Sequence, residues 1–180
     1  MSMGDDYKPF PDVSRRNLTQ SWLEVPLMAR ALALPRGIRL LEIGCGRGAA
    51  LAPLARCCAP VRLAGVDVDV VALAKAATHL SDHGVNCDLL LGDVRSLPFN
   101  DNSFDLVVDF GTCYHISRPE EALVEVQRVL ADGGQFVYET RISQLMSHPV
   151  RSFGRVLPWR AASSLKPSRR RFLWSSRVKA

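Results

Sequence analysis

Ile38-Arg39-Leu40-Leu41-Glu42-Ile43-Gly44-Cys45-Gly46-Arg47-Gly48 decides the fold. The run is apolar from Ile38 and enters three closely spaced glycines. An alanine-rich segment, residues 49–58, follows at once. That order predicts a strand, a tight turn and a helix. Glycine lets the backbone turn sharply and approach a ligand, because it carries no Cβ. The helix start beyond it offers unpaired N–H groups to a polar partner. Pro53 falls at the start of this helix, where a missing N–H is tolerated.

Downstream, the apolar runs repeat. Residues 61–66 read as a second strand ending at Asp67. Residues 70–80 read as a helix with Val70, Leu73, Ala77 and Leu80 on one side. A third strand, residues 87–91, leads into Gly92-Asp93. The next connection is too short for a crossover helix and predicts a loop. A fourth strand, residues 104–110, runs into Gly111-Thr112-Cys113-Tyr114-His115-Ile116. Ser117 and Glu120 have the spacing of a capping box for a helix striped by Leu123, Val126 and Leu130. Gly133-Gly134 would end that helix before a fifth strand at residues 135–140. The pattern predicts a three-layer α/β sandwich with a mostly parallel sheet. Ligands in such sheets bind beyond the carboxyl ends of the strands. The polar and glycine-rich residues fall at those ends, whereas the strand interiors are apolar.

Three segments follow from composition. Residues 1–14 are polar, broken by Pro9 and Pro11, and expected to be flexible. Residues 15–160 form the main domain, opening with a helical cover in which Pro26 would kink or restart the helix. Trp22 in that cover either packs or lines a pocket. Residues 161–180 form a basic segment. Residues 161–167 read as a loop, and Phe172-Leu173-Trp174 as one final strand at the sheet edge. Arg169-Arg170-Arg171, Arg177 and Lys179 would rim it. Residues 141–149 suggest a short helical turn.

Of the 23 Lys/Arg residues, 10 lie in residues 141–180, which hold none of the 18 Asp/Glu. A basic tail can bind nucleic acid or an anionic surface, or simply form a solvated face balancing an acidic body. The five cysteines are odd in number and include adjacent Cys57 and Cys58, which reads as reduced, intracellular usage. The expectation is a cytoplasmic protein, with no membrane span and no apolar leader. His79 and His83 stand four apart without a third ligand nearby, so no metal site is expected.

Together these residues resemble the class I S-adenosylmethionine-dependent methyltransferases over roughly residues 35–140. Glu42 and the Gly44, Cys45, Gly46 and Gly48 loop resemble the family's cofactor loop. Asp67, with Val68 beside it, matches the acid that accepts hydrogen bonds from the ribose hydroxyls. Asp93 and Val94 match the pair that holds the adenine edge. Residues 104–108 resemble the fourth strand, and residues 130–134 the stretch before the fifth. The resemblance implies S-adenosylmethionine as cofactor and methyl transfer by direct displacement at sulfur. Asp109 would contact cofactor or acceptor. His115 would serve as general base and Tyr114 would orient the acceptor, or His115 merely closes the loop before the next helix. Cys45 and Cys113 read as small apolar fillers. The family commonly ends in an antiparallel hairpin. With one strand expected after the fifth, the sheet reads as shortened at its C-terminal edge, and a homodimer could complete it.

Other classes compete. Gly44-x-Gly46-x-x-Ala49, with Asp67 following 23 residues after Gly44, also satisfies a dinucleotide-binding pattern. The basic tail suits an RNA methyltransferase, although no Asn/Asp-Pro-Pro-Tyr type motif follows the fourth strand. A non-catalytic or partner-dependent cofactor-binding domain is the third reading. A small-molecule methyl acceptor is preferred, since no added recognition module is evident.

Overall fold

The computed structural model describes residues 17–139, the backbone of 165–170, and residues 174–180. The expected loose segment 1–14, the turn at 141–149 and Phe172-Leu173 lie outside the described residues. The elements are α1 (Val25–Ala31), β1 (Arg39–Ile43), α2 (Leu51–Cys58), β2 (Arg62–Asp67), α3 (Val70–Asp82), β3 (Asp88–Leu91), β4 (Phe104–Asp109), α4 (Thr112–His115), α5 (Pro119–Val129), β5 (Leu130–Glu139), β6 (Leu165–Arg170) and β7 (Trp174–Lys179). They form one seven-stranded sheet of order β3-β2-β1-β4-β5-β7-β6. The first five strands are parallel neighbours, and β7 runs antiparallel to both β5 and β6.

The expected three-layer sandwich is therefore present, but the expected C-terminal edge is corrected. Among the described residues two strands follow β5, not one. Residues 165–167, read as a loop, begin β6. The last strand, β7, lies between β5 and β6 and is not itself the edge. Arg177 and Lys179 accordingly face other elements. Arg177 Nε donates to the Tyr138 hydroxyl at 3.4 Å, and Lys179 Nζ donates to the Leu130 carbonyl at 2.7 Å.

Alternation along the central strands fills both faces. Leu40, Leu106, Val108 and Val137 pack with Val25, Met28, Leu51 and Leu54 on one side. Leu41, Ile43, Val107 and Phe136 pack with Leu123, Val126 and Val129 on the other. Burial on both faces is why these strands read as nearly continuous apolar runs.

The helix restarts at Pro26, as expected: α1 begins at Val25 with Pro26 in its first turn. Gln20–Glu24 widens into a π-helical turn, with the Val25 N–H donating to the Gln20 carbonyl, and α1 continues from there. A wider turn accommodates a residue that lacks an N–H and crowds the preceding carbonyl. The connection from β3 to β4 carries no helix, as expected. Arg128 of α5 holds it, donating to the carbonyls of Leu97 at 3.0 Å and Phe99 at 2.7 Å and pairing with Asp101 and Glu125.

The capping box does not form. The N-cap of α5 is Arg118, left-handed at φ 55°, and Pro119 opens the helix. The helix also stops earlier than Gly133-Gly134 suggested. Leu130 already pairs with Phe104, residues 131–134 loop out, and pairing resumes at Gln135 opposite Leu106.

Candidate active site

The sheet order reverses between β1 and β4, whose carboxyl ends lie side by side, with Ile43 opposite Asp109. A crevice at such a switch point is where open α/β sheets bind ligands. The glycine loop leaves β1 here. Gly44, Gly46 and Gly48 have φ of 63°, 52° and 75°, a region that side chains with a Cβ rarely adopt. A Cβ on Gly46 would meet nothing within 4 Å, so the loop leaves open space above it. The Gly48 N–H closes the turn on the Cys45 carbonyl at 2.9 Å.

Asp67 ends β2 directly beside this loop. Its Oδ2 accepts the Gly46 N–H at 2.7 Å, and its Oδ1 accepts the Asp69 N–H at 2.9 Å. A carboxylate offers about four lone-pair sites, so one on each oxygen is left for further donors. Asp69, which sequence reasoning did not single out, caps α3 by accepting from Val71 and Ala72. Val68 is exposed next to Asp67, whereas Val94 is buried beneath the loop after β3. The Gly92 N–H donates to the Asp67 carbonyl at 3.0 Å and brings Asp93 to the same end of the sheet. Asp93 is ion-paired with Arg95, whose hydrogen bonds hold its carboxyl below the usual range.

Glu42 is buried within β1, on the strand face shared with Leu40. Asp109 is buried as well, and its carboxylate is turned onto the following backbone. Oδ1 accepts from Gly111 at 2.9 Å and Thr112 at 2.6 Å, while Oδ2 accepts from Cys113 at 3.2 Å. Burial raises its pKa despite these donors. Asp109 thereby holds the backbone N–H groups at the start of α4, whose N-cap is Gly111. That helix carries half-buried Tyr114 and His115. The Tyr114 hydroxyl donates to the Glu139 carbonyl at 3.2 Å and ties α4 to the end of β5. Burial lowers the pKa of His115, favouring its neutral form.

All five cysteines are free thiols. Burial pushes the Cys45 and Cys113 thiols far above their ordinary range, so neither provides a thiolate at neutral pH. Among the described residues no cluster of three or more His, Cys, Asp or Glu could hold a metal, and no helix is long and apolar enough to cross a membrane. A cleft of about 410 Å³ lined by Pro35, Asp105, Gly133 and Gln135 lies at the opposite ends of the strands, away from all these residues.

Trp22 is 78% exposed, so it is not a packing residue among the described parts of the chain. Its neighbour Ser21 donates to the Ala49 carbonyl at 2.7 Å, which anchors the N-terminal helical segment beside the glycine loop.

A seven-stranded sheet of this order, with a glycine loop after β1 and acids after β2 and β3, defines a class I S-adenosylmethionine-dependent methyltransferase fold. Residues 41–138 match the family described as "Methyltransferase domain", and the chain belongs to that family. It is 34% identical over 102 residues to a fatty-acid O-methyltransferase of Mycolicibacterium smegmatis, covering 57% of this chain and 36% of that protein. It is 32% identical over 105 residues to a ubiquinone biosynthesis O-methyltransferase of Maricaulis maris, covering 58% and 41%. Among solved structures it is similar to the YcgJ protein of Bacillus subtilis, with TM-score 0.59 and 30% identity over 63% of this chain and 48% of that one. It is also similar to the cyclase SpnF, with TM-score 0.59 and 33% identity over 64% and 43%. The chain thus spans well under half the length of the curated relatives it matches.

Proposed function

We propose that this domain binds S-adenosylmethionine at the β1–β2–β3 end of the sheet and transfers its methyl group to a small-molecule acceptor. The observation that carries this reading is Asp67, fixed by the Gly46 N–H beside an open glycine cradle. The residues suit the cofactor. A carboxylate with spare lone pairs accepts two hydroxyl donors of a ribose, and a backbone free of Cβ atoms admits the amino-acid portion. The cofactor supplies an activated methyl group on a sulfonium. The chain's work is then to align the acceptor and exclude competitors, without a protein nucleophile. Neutral His115 takes a proton from an acceptor hydroxyl where one must leave, and Tyr114, fixed on Glu139, holds α4 in place for it. The named O-methyltransferase relatives favour an oxygen acceptor on an apolar molecule, and exposed Leu18, Trp22 and Leu23 offer it apolar surface.

Calorimetric titration with S-adenosylhomocysteine, with NAD in parallel, tests the proposal. Micromolar binding of the former alone is expected, weakened at least about tenfold in Asp67→Ala, since a hydrogen bond to a charged group contributes about 1.5–3 kcal/mol. Preference for NAD, or unchanged affinity in the variant, would overturn the assignment. A second reading is cofactor binding without methyl transfer by this chain alone. Binding without turnover against any hydroxylated acceptor would select it.

A further inference from the structure

His79 and His83, whose spacing alone gave no reason to expect a metal, have a geometry that suits one. His79 lies in the last turn of α3, and His83 is its C-cap. Residues four apart on a helix stand one turn above the other on the same face. The two imidazole rings are tilted at 51° with centroids 4.3 Å apart. The His83 Nδ1 lies 2.7 Å from the His79 carbonyl. A carbonyl oxygen only accepts, so this Nδ1 carries the proton, and Nε2 of the neutral ring keeps its lone pair. Metal-ligating histidines are commonly held in this way, by a backbone carbonyl on the other ring nitrogen. The His79 Nε2 is buried and, among the described residues, has no hydrogen-bond partner. A buried polar nitrogen left unsatisfied costs stability, which a ligand on it would recover.

We propose that His79 and His83 form a two-imidazole chelate for a divalent late transition-metal ion that takes its nitrogen ligands at right angles, of the Ni²⁺ or Cu²⁺ type. The ring separation selects the geometry. A metal–nitrogen bond of about 2.0–2.1 Å places the metal about 3.2 Å from each ring centre. Ligands at a right angle then set the centres about 4.5 Å apart, and tetrahedral ligands about 5.2 Å. The observed 4.3 Å fits the right angle, the arrangement that Ni²⁺ and Cu²⁺ adopt in nitrogen and oxygen sites. Water fills the remaining positions. Burial, and after it the neighbouring His83, lowers the pKa of His79, so this ring stays neutral where an ordinary histidine begins to charge. Asp82 supplies a nearby negative charge, and Arg56 a positive one that opposes the metal. The pair stands about 18 Å along α3 from the Asp69 cap, so it is separate from the candidate active site and does not rest on the cofactor reading.

Calorimetric titration of the full chain with NiCl₂ tests the proposal, with His79→Gln and His83→Gln alongside. One Ni²⁺ per chain is expected. Either substitution should weaken it at least about tenfold, because the loss of one arm removes the effective concentration that the helix gives the other. Saturating Ni²⁺ should also raise the unfolding temperature of the wild type and of neither variant. Equal Ni²⁺ affinity in all three proteins would place the metal elsewhere, on the thiols for example, and overturn the proposal. If His83 only closes the helix, His83→Gln lowers the unfolding temperature and leaves Ni²⁺ affinity unchanged, which overturns it as well. No binding by the wild type has the same consequence. Zn²⁺ bound more tightly than Ni²⁺, and lost in both variants, would mean a tetrahedral site and overturn the right-angle geometry. Should His79→Gln fail to fold, His83→Gln, at an exposed position, carries the same measurement.

Discussion

Thr112 occupies the space that a side chain on Gly44 would need. A Cβ on Gly44 would lie 1.8 Å from Thr112 Oγ1, and that oxygen donates to the Ile43 carbonyl at 3.1 Å. The first turn of α4 is thereby locked onto the end of β1, and the glycine loop and the loop after β4 form one packed unit. Gly44→Ala should destabilise the fold by about 2–4 kcal/mol, combining overpacking with left-handed backbone strain. Urea unfolding measures this. Wild-type stability in the variant would mean that α4 can retreat from the loop at little cost.

Three carboxyls make the fold sensitive to acid. Hydrogen bonds from Arg95, Arg39 and Arg128 lower the pKa values of Asp93, Asp105 and Glu125 respectively. Such groups titrate near about 4 in an unfolded chain. Their contribution is fully present above that value and is lost as pH falls through the lower folded value. Asp109 has the opposite sign. Burial raises its pKa, so its charge costs stability as pH rises through the raised value. Unfolding free energy should therefore fall steeply below about pH 4, with each pair modest because it is partly exposed. Arg39→Met should make that acid limb shallower, and an identical limb would remove the Asp105 pair as a cause.

His115 offers a different pH signature. Its pKa is lowered by burial, so the neutral, proton-accepting form persists below the ordinary histidine value of about 6.5. If it is the general base, turnover should decline only at pH below about 6.5, and His115→Gln should lose about 10²–10⁴ in rate. Affinity for S-adenosylhomocysteine should be unchanged. Full turnover in the variant would leave His115 as a loop-closing residue.

Trp22 is a position at which acceptor binding can be tested apart from folding. Its exposure means that Trp22→Ala should alter stability by no more than about 0.5 kcal/mol. If the N-terminal helical segment forms the acceptor wall, the substitution should weaken binding of oleate, used as an apolar probe, several-fold. Equal oleate binding by both proteins would remove this segment from the wall.

The order of strand, loop and helix was legible because it rests on local chemistry. Glycines mark the turn after β1, and strands buried on both faces must be apolar throughout. The acids after β2 and β3 were legible as residues at strand ends. Other features were hidden because they depend on neighbours distant in sequence. The strand β6 contains Lys166, Pro167, Arg169 and Arg170, a composition that suits an edge and resembles a loop when read alone. Arg95 drew no notice because a lone arginine carries no motif, although its place two residues after Asp93 was a usable signal.

Sequence alone determined the alternation of elements, the glycine turn and the set of acids at the carboxyl end of the sheet, since each depends on residue type and spacing. Only the tertiary structure decided how those groups are used. Ser117, which looked like a helix cap, accepts from Arg95 instead, while Arg118 takes the left-handed cap position. Asp109 is spent on the backbone leading into α4 and Asp93 on Arg95, which makes two contacts to each of its oxygens, whereas Asp67 keeps one acceptor direction open on each oxygen. The physical reason is that a carboxylate's function depends on which of its acceptor directions are already filled, and the donors that fill them come from whichever elements the fold brings alongside.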